Sequence, residues 1–345
     1  MIIPVVAAMG ERLCAAARVI GGEVDFDPVV ALSRAPPLAR SCRLVEAADG
    51  WIAVNLAREE DIAAVPAWTG CALDGELWGA IEAVARDARI SALLEQAHLL
   101  GMPVAGVGEC SRSNAQIPLP RIPELVEGLP FFFDCVAEKE GRPSTSSGIR
   151  GICPLSVLDL SALWAGPYCG GLLAEAGLSV TKVESQSRPD PTPQSDPALD
   201  KRLNGRKPRM SLDFSNKDAL ARLASQADIL ITSARPHALA RLGLTEESLF
   251  ACNPDLIWVA ITAHGWHGDA AMRVGFGDDC AAAGGLVEWR GGVPNFIGDA
   301  LADPLTGIAA ATLAMEAVAQ GQTGLIDVAL ARVAAEVAHQ AGLSQ

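Results

Sequence analysis

From residue 151 onward, short apolar strands alternate with helical stretches, and this rhythm limits the possible folds more than any other feature of the chain. The spacing predicts strands over 155–160, 180–184, 210–214, 229–232 and 256–262, with helices over 166–176 and 217–226. A Pro- and Asp-rich stretch over 187–200 reads as a loop. Strands separated by helices pair in parallel, because the crossover returns the chain to the same end of the sheet. The prediction is an α/β fold, a Rossmann-like parallel sheet with helices on both faces. No G-x-G-x-x-G turn occurs, so the ordinary dinucleotide fingerprint is absent.

The first hundred residues read differently. One helix is expected over 4–22, closing on Gly21-Gly22. Strands over 42–46 and 51–56 flank Asp49-Gly50, a strong hairpin signal. Helical patterns follow over 61–68 and 77–100, then a short strand over 104–107. Residues 1–110 are thus predicted to form a smaller α+β domain, N-terminal helix included, placed before the parallel-sheet domain of 151–345. Between them, 111–150 is a Pro-, Ser- and Gly-rich linker, expected to hold little fixed structure apart from the apolar 129–133. It contains Pro-Glu-Leu-Val-Glu-Gly at 123–128 and Pro-Ser-Thr-Ser-Ser-Gly at 143–148. These hexapeptides can be encoded by the two strands of one DNA sequence. Residues 121–148 therefore read as an insertion derived from a palindromic element, with coincidence in a biased segment as the alternative.

The formal net charge is −14 and there is no basic run, which argues against nucleic acid or an anionic membrane surface as a partner. The nine cysteines are scattered without a C-x-x-C, so reduced thiols are expected, with neither disulfide framework nor metal site. No basic stretch precedes a long apolar run at the N-terminus, and the apolar 308–319 is too short to span a bilayer. The expectation is a cytoplasmic protein. On such an acidic chain, an anion must be held by a few placed Arg or Lys and by helix N-termini. The Gly166-Pro167 helix start is one such place, although helices that open on Pro are common without any ligand.

Seven segments occur in an order that resembles one known family. They are AGP (165–167), LLAEAGLSVTKVE (172–184), LNGRKPRMSLDF (203–214), ADILITSARPHALARLGL (227–244), NPDLIWVAITAHGWHG (253–268), DPLTG (303–307) and TGLIDVAL (323–330). Together they resemble the family III CoA-transferases, the CaiB/BaiF family, which also includes α-methylacyl-CoA racemase. CRLVEAADGWIAVNLAREED (42–61) and LLGMPVAGVGE (99–109) are similar to that family's small domain. There the small domain follows the CoA-binding half. Here it precedes it, so the chain looks like a rearranged or permuted member.

The resemblance implies a homodimer that takes acyl-CoA and a carboxylic acid acceptor, with CoA as substrate and no permanently bound cofactor or metal. It places Lys207 and Arg241 near the nucleotide, with Arg235 close by. Asn204, Glu184 and the loop of Trp164, Ala165, Gly166 and Pro167 would border adenine and pantetheine. Without the resemblance, Arg235 and Arg241 read as surface ion-pair residues. It further implies an aspartate nucleophile that becomes an aspartyl-CoA thioester. Alignment of GFGDDCAAAGGL puts Gly277 in the aspartate slot, Asp278 one residue later and Asp279 next. Asp278 is the expected nucleophile and Asp279 the expected helix cap, although both read equally well as caps. Phe276 stands where racemase members carry a His, and Asp303 matches their Asp. His264 and His267 read as solvated loop residues. A racemase and a catalytically silent CoA-binding homologue are the rival readings.

Overall fold

The computed structural model describes residues 2–32, 41–70, 76–111, 135–136 and 154–343. An antiparallel sheet in the N-terminal part consists of β1 (Cys42–Ala47), β2 (Gly50–Asn55) and β3 (Val104–Gly106), in that order. The hairpin forms where expected, but its two loop residues are Ala48 and Asp49, so Gly50 already pairs with Ala47. The helical stretch after residue 77 divides into Leu77–Asp87 and Ile90–Leu99. It breaks where the hairpin turn docks: Ile90 N donates to Asp49 Oδ1 at 2.8 Å and Ala48 N to the Ala88 carbonyl at 3.0 Å. The turn thereby pairs groups that helix ends leave without partners. These two helices and Glu59–Thr69 cover one face of the sheet over Ile52, Val54, Val65, Trp68 and Ile81.

The remaining strands are β4 (Cys135–Val136), β5 (Ser156–Asp159), β6 (Ser179–Ser185), β7 (Arg209–Leu212), β8 (Ile229–Thr232), β9 (Ile257–Thr262), β10 (Val287–Arg290), β11 (Val293–Phe296) and β12 (Gly324–Ala329). All but β10 and β11, which form a separate hairpin, join one sheet in the order β4-β12-β9-β8-β5-β6-β7. Six of its strands run parallel, and β4 pairs antiparallel with β12 at the edge. Numbered along the chain, the six parallel strands lie 3-2-1-4-5-6, the doubly wound order. Strand β4 belongs to the stretch expected to be unstructured. The rest of that stretch beyond Ser111, with 129–133 and both hexapeptides, lies outside the described residues. The expected loop over 187–200 holds two short helices opened by Pro, Thr192–Ser195 and Pro197–Asn204.

Small side chains set the helix packing. Ala302–Gln320 crosses the sheet against Ala165–Glu175. A methyl at Gly307 would come within 2.9 Å of the Ala165 carbonyl oxygen, so this glycine permits the approach. With few aromatic residues to fill a core, alanine-lined helices close the gap instead.

The N-terminal helix, Ile3–Val19, does not join the small sheet. Its stripe of Val6, Met9, Leu13 and Ala17 lies on Ala302–Gln320. Arg12 fixes the register through a two-pronged pair with Glu316, at 2.6 and 2.7 Å. The small sheet has no free face to offer. Its second face, Cys42 and Ala53, is already packed on the helix Gly277–Ala283 through Ala282. Gly108 N and Cys110 N donate to the carbonyls of Ala282 and Ala283 at 2.9 and 2.8 Å. The two parts of the chain therefore meet along the helix that the sequence marks for chemistry.

Candidate active site

Strands β5 and β8 lie side by side at the centre of the sheet, and their crossovers lead to opposite sides. This is the switch point at which doubly wound sheets open a crevice beyond the strand ends. Ala162 N reaches across it to Ser233 Oγ at 3.0 Å. Leu163 adopts φ +70°, a left-handed conformation unusual for a non-glycine residue. Asp190 Oδ2 holds its N–H at 3.1 Å, and Thr192 Oγ1 donates to its carbonyl at 3.4 Å. Leu163 is exposed, whereas Trp164, Ala165, Gly166 and Pro167 are buried. The rim of the crevice is thus Ala162–Leu163, and the Gly-Pro helix start is packed away from solvent.

Below the rim lies an ionic network that sequence reasoning missed. Lys207 donates to Asp159 Oδ2 at 2.8 Å, to the Pro167 carbonyl at 2.6 Å and to Asn204 Oδ1 at 2.9 Å. All three N–H groups are used, and neither side chain of the Lys207–Asp159 pair is exposed. Lys207 therefore fixes the start of the helix Ala165–Glu175, with its three N–H groups engaged inside the protein rather than directed at the rim. Asn204 is buried too, donating to Asp200 Oδ1 at 2.9 Å. Lys182 sits in the same layer, donating to the Ser161 carbonyl and lying 3.5 Å from Asp190. Burial pushes the Asp159 carboxyl up, but Lys207, Lys182 and the hydrogen bonds outweigh it and hold it below the usual carboxylate value. Lys182 stands between Val180 and Val183, the apolar residues of β6, and is itself fully buried. Glu184 is tied to Arg209 at 3.2 Å. Arg241 is exposed, and Arg235 is half-buried with one N–H on the Met272 carbonyl at 3.2 Å.

The acidic residues divide their tasks. Asp279 is fully buried; its Oδ1 accepts Phe276 N at 3.0 Å and Asn55 Nδ2 at 2.9 Å. It caps the helix Gly277–Ala283 and anchors it to β2. Burial pushes this carboxyl up to about 7, against the lowering effect of those two hydrogen bonds. Asp278 is buried and accepts Ala300 N at 2.7 Å. Ala300 is the second left-handed non-glycine residue, at φ +46°, and its carbonyl accepts Asp303 N at 2.9 Å. Asp303, half-exposed at the start of Ala302–Gln320, lies over Gly277: a Cβ built there would stand 2.2 Å from Asp303 Oδ2 and 2.5 Å from the Ala300 carbonyl oxygen. The carboxylate of Asp303 occupies the space a side chain at 277 would need.

His267 is exposed as expected, but His264 is buried, and neither ring nitrogen has a hydrogen-bond partner among the described residues. Burial and the nearby Arg273 push its pKa well below the ordinary value, so it is neutral.

Comparison with known proteins agrees with the fold. The family model described as CoA-transferase family III matches residues 154–344, more than half of the chain. A succinyl-CoA–D-citramalate CoA-transferase of Chloroflexus aurantiacus is 31% identical over 52% of this chain and 49% of its own length. A succinate–glutarate CoA-transferase of Agrobacterium fabrum is 30% identical over 59% and 55%. The crystal structure of Rv3272 from Mycobacterium tuberculosis superposes with a TM-score of 0.51 at 28% identity, covering 56% of this chain and 58% of that one. The chain thus spans about half the length of the curated relatives it matches. No described helix is long and apolar enough to cross a membrane.

Proposed function

Because the chain belongs to CoA-transferase family III, we propose that it moves CoA between carboxylic acids through an aspartyl-CoA intermediate formed on Asp303. The observation that carries this choice is the seat of its carboxylate over Gly277, half-exposed at a helix start, while Asp278 and Asp279 are buried and committed to backbone N–H groups. Asp278, the nucleophile expected from the sequence, is thereby replaced in that role.

The chemistry asks little else of the site. An Asp303 oxygen attacks the thioester carbonyl carbon, the C–S bond breaks, and a mixed anhydride and CoA thiolate result. The thiolate attacks the Asp303 carbonyl and releases the first acid. The acceptor carboxylate then attacks the aspartyl thioester, and CoA returns to the new acyl group. No proton changes hands, so a carboxylate without a paired base suffices. Gly277 gave the silent-homologue reading its weight, but an empty position there is what admits Asp303. The racemase reading needs a second base, and Phe276 supplies none.

The CoA moiety is proposed to enter over the Ala162–Leu163 rim, with Arg241 as an exposed cation for a phosphate and Glu184 at the border. The test is mass spectrometry after incubation with a panel of acyl-CoAs. A hydroxylamine-sensitive adduct on Asp303 is expected. An adduct on Asp278 or Asp279, or none in a folded protein that exchanges the substrate α-proton in deuterium oxide, overturns the assignment.

A further inference from the structure

His264, in the loop that leaves β9, is 5% exposed, and neither of its ring nitrogens has a hydrogen-bond partner among the described residues. A buried imidazole in that state has lost water and gained nothing in return. What it faces is a set of donor atoms. One of its nitrogens, Cys280 Sγ and an oxygen of Asp279 all lie within 4.8 Å of one another. Both partners are fully buried on the helix Gly277–Ala283. Asp279 Oδ1 is engaged by Phe276 N and Asn55 Nδ2, so Oδ2 is the oxygen that faces Cys280 Sγ, at 3.9 Å. The other contact of that thiol, to the Ala263 carbonyl, is long at 3.6 Å. Gly275 keeps room beside the two atoms: a Cβ built there would stand 2.6 Å from Cys280 Sγ and 2.9 Å from Asp279 Oδ2.

We propose that His264, Asp279 and Cys280 bind a divalent transition-metal ion of the zinc class, in a structural site that ties the loop after β9 to the helix Gly277–Ala283. An imidazole, a carboxylate and a thiolate make a mixed N/O/S donor set, which suits zinc, whereas calcium and magnesium take oxygen. Around a tetrahedral ion with such ligands the donor atoms stand roughly 3.3–3.8 Å apart. The Sγ–Oδ2 distance is already close to that, and the imidazole has at most about 1.5 Å to close. Two anionic ligands neutralise a divalent cation, so the buried site carries no net charge. Arg273, whose charge is felt at His264, is paired with Glu109 Oε1 at 2.5 Å. The bonds to Asp279 Oδ1 orient its carboxylate as outer-shell bonds do at metal sites. His264 also stands within 4.8 Å of the half-buried Cys110 Sγ and Glu109 carboxylate, a path of donor atoms from the surface. No close-spaced motif announces the site, because its ligands come from a loop and a separate helix. The transfer chemistry needs no metal, and the site is independent of which aspartate is the nucleophile. Binding displaces the Cys280 proton, so the pH behaviour that burial gives Asp279 and His264 is that of chelator-treated protein.

The experiment titrates the full chain, stripped with chelator, with Co2+ as a spectroscopic probe and then with Zn2+. The expected result is one equivalent of Co2+, with the visible bands of tetrahedral coordination and a sulfur-to-cobalt charge-transfer band, all lost when Zn2+ displaces it. Cys280→Ser should remove the charge-transfer band. His264→Gln and Asp279→Asn should each weaken Zn2+ by about tenfold or more, read by competition with a chromophoric chelator. Zn2+ should raise the Tm of the wild type and leave that of Cys280→Ser unchanged. If Asp279→Asn fails to fold, His264→Gln and Cys280→Ser still decide, because they replace groups that make no short hydrogen bond. A folded wild type that takes up neither ion overturns the proposal. So does Zn2+ affinity unchanged in His264→Gln, and so does a charge-transfer band that survives Cys280→Ser but disappears in Cys110→Ser, which would put the ion on a different set of ligands.

Discussion

An oxygen of Asp303 stands 2.2 Å from the point where a side chain on residue 277 would begin. The Ala300 carbonyl oxygen and carbon stand 2.5 and 2.7 Å from the same point. A methyl there meets backbone that cannot swing aside, so Gly277→Ala should push the Ala300–Asp303 turn outward. We expect a loss of about 1–3 kcal/mol of stability, the scale of overpacking, together with loss of the Asp303 adduct. Urea denaturation and adduct mass spectrometry check both. Wild-type turnover in this variant would show that Asp303 need not sit where it does.

Asp278 holds Ala300 N, and Ala300 is in a left-handed conformation. Asp278→Asn keeps an oxygen acceptor and should retain most transfer. Asp278→Ala releases the N–H and should cost about 1–3 kcal/mol. Ala300→Gly should be tolerated, because glycine adopts this φ without strain. Abolished adduct formation in a well-folded Asp278→Asn would return the nucleophile to Asp278.

Asp279 gives a pH signature. Its pKa rises from 3.8 unfolded to about 7 folded, chiefly through burial. The folded state therefore binds the proton more tightly, and the stability this adds is fully present below pH 3.8 and lost as pH rises through about 7. Asp279→Asn should flatten that fall. His264 acts in the opposite sense, because its pKa is depressed and its contribution grows as pH rises. The difference between wild type and Asp279→Asn isolates the carboxyl. Parallel curves from about pH 4 to 8 would contradict the assignment.

Lys207 is expected to matter for folding rather than for phosphate. Lys207→Met leaves the buried Asp159 without its ion-pair partner, a loss on the order of 3–5 kcal/mol. Asp159→Asn with Lys207→Met should recover part of it, read by denaturation. A fully stable Lys207→Met with weakened CoA binding would restore the phosphate contact.

Arg241 is exposed and available. Arg241→Ala should weaken CoA by about 1.5–3 kcal/mol, the scale of a charge-assisted hydrogen bond. The loss should shrink with dephospho-CoA if the contact is to the 3′-phosphate. Equal CoA affinity by calorimetry in both proteins would remove this residue.

The sheet was legible because strand spacing and helix length dictate parallel pairing, and each predicted strand of the sheet is present within one or two residues. Side-chain depth was not. Lys207 lies just before β7 and Arg241 ends the helix Pro236–Arg241, and only the fold shows that one is enclosed by three acceptors while the other faces solvent. The break at Ala88 was hidden because its cause, the turn at Asp49, lies far back along the chain. Asp303 was visible as a candidate, but its claim over Asp278 depends on the packing at Gly277.

The pairing of Arg12 with Glu316 spans 304 residues of chain. At about 5–20 residues per second, ribosomal synthesis leaves roughly 15–60 s between the two partners. Throughout that interval the stripe of Val6, Met9 and Leu13 has no native surface to cover it. The helix that bears Asp303 likewise lacks its partner Ile3–Val19 until then, so this part of the core is assembled late, by a docking step of high contact order. Refolding in a dilute tube should accordingly be slow, and holdase chaperones that bind apolar helices should favour the nascent chain over the finished protein.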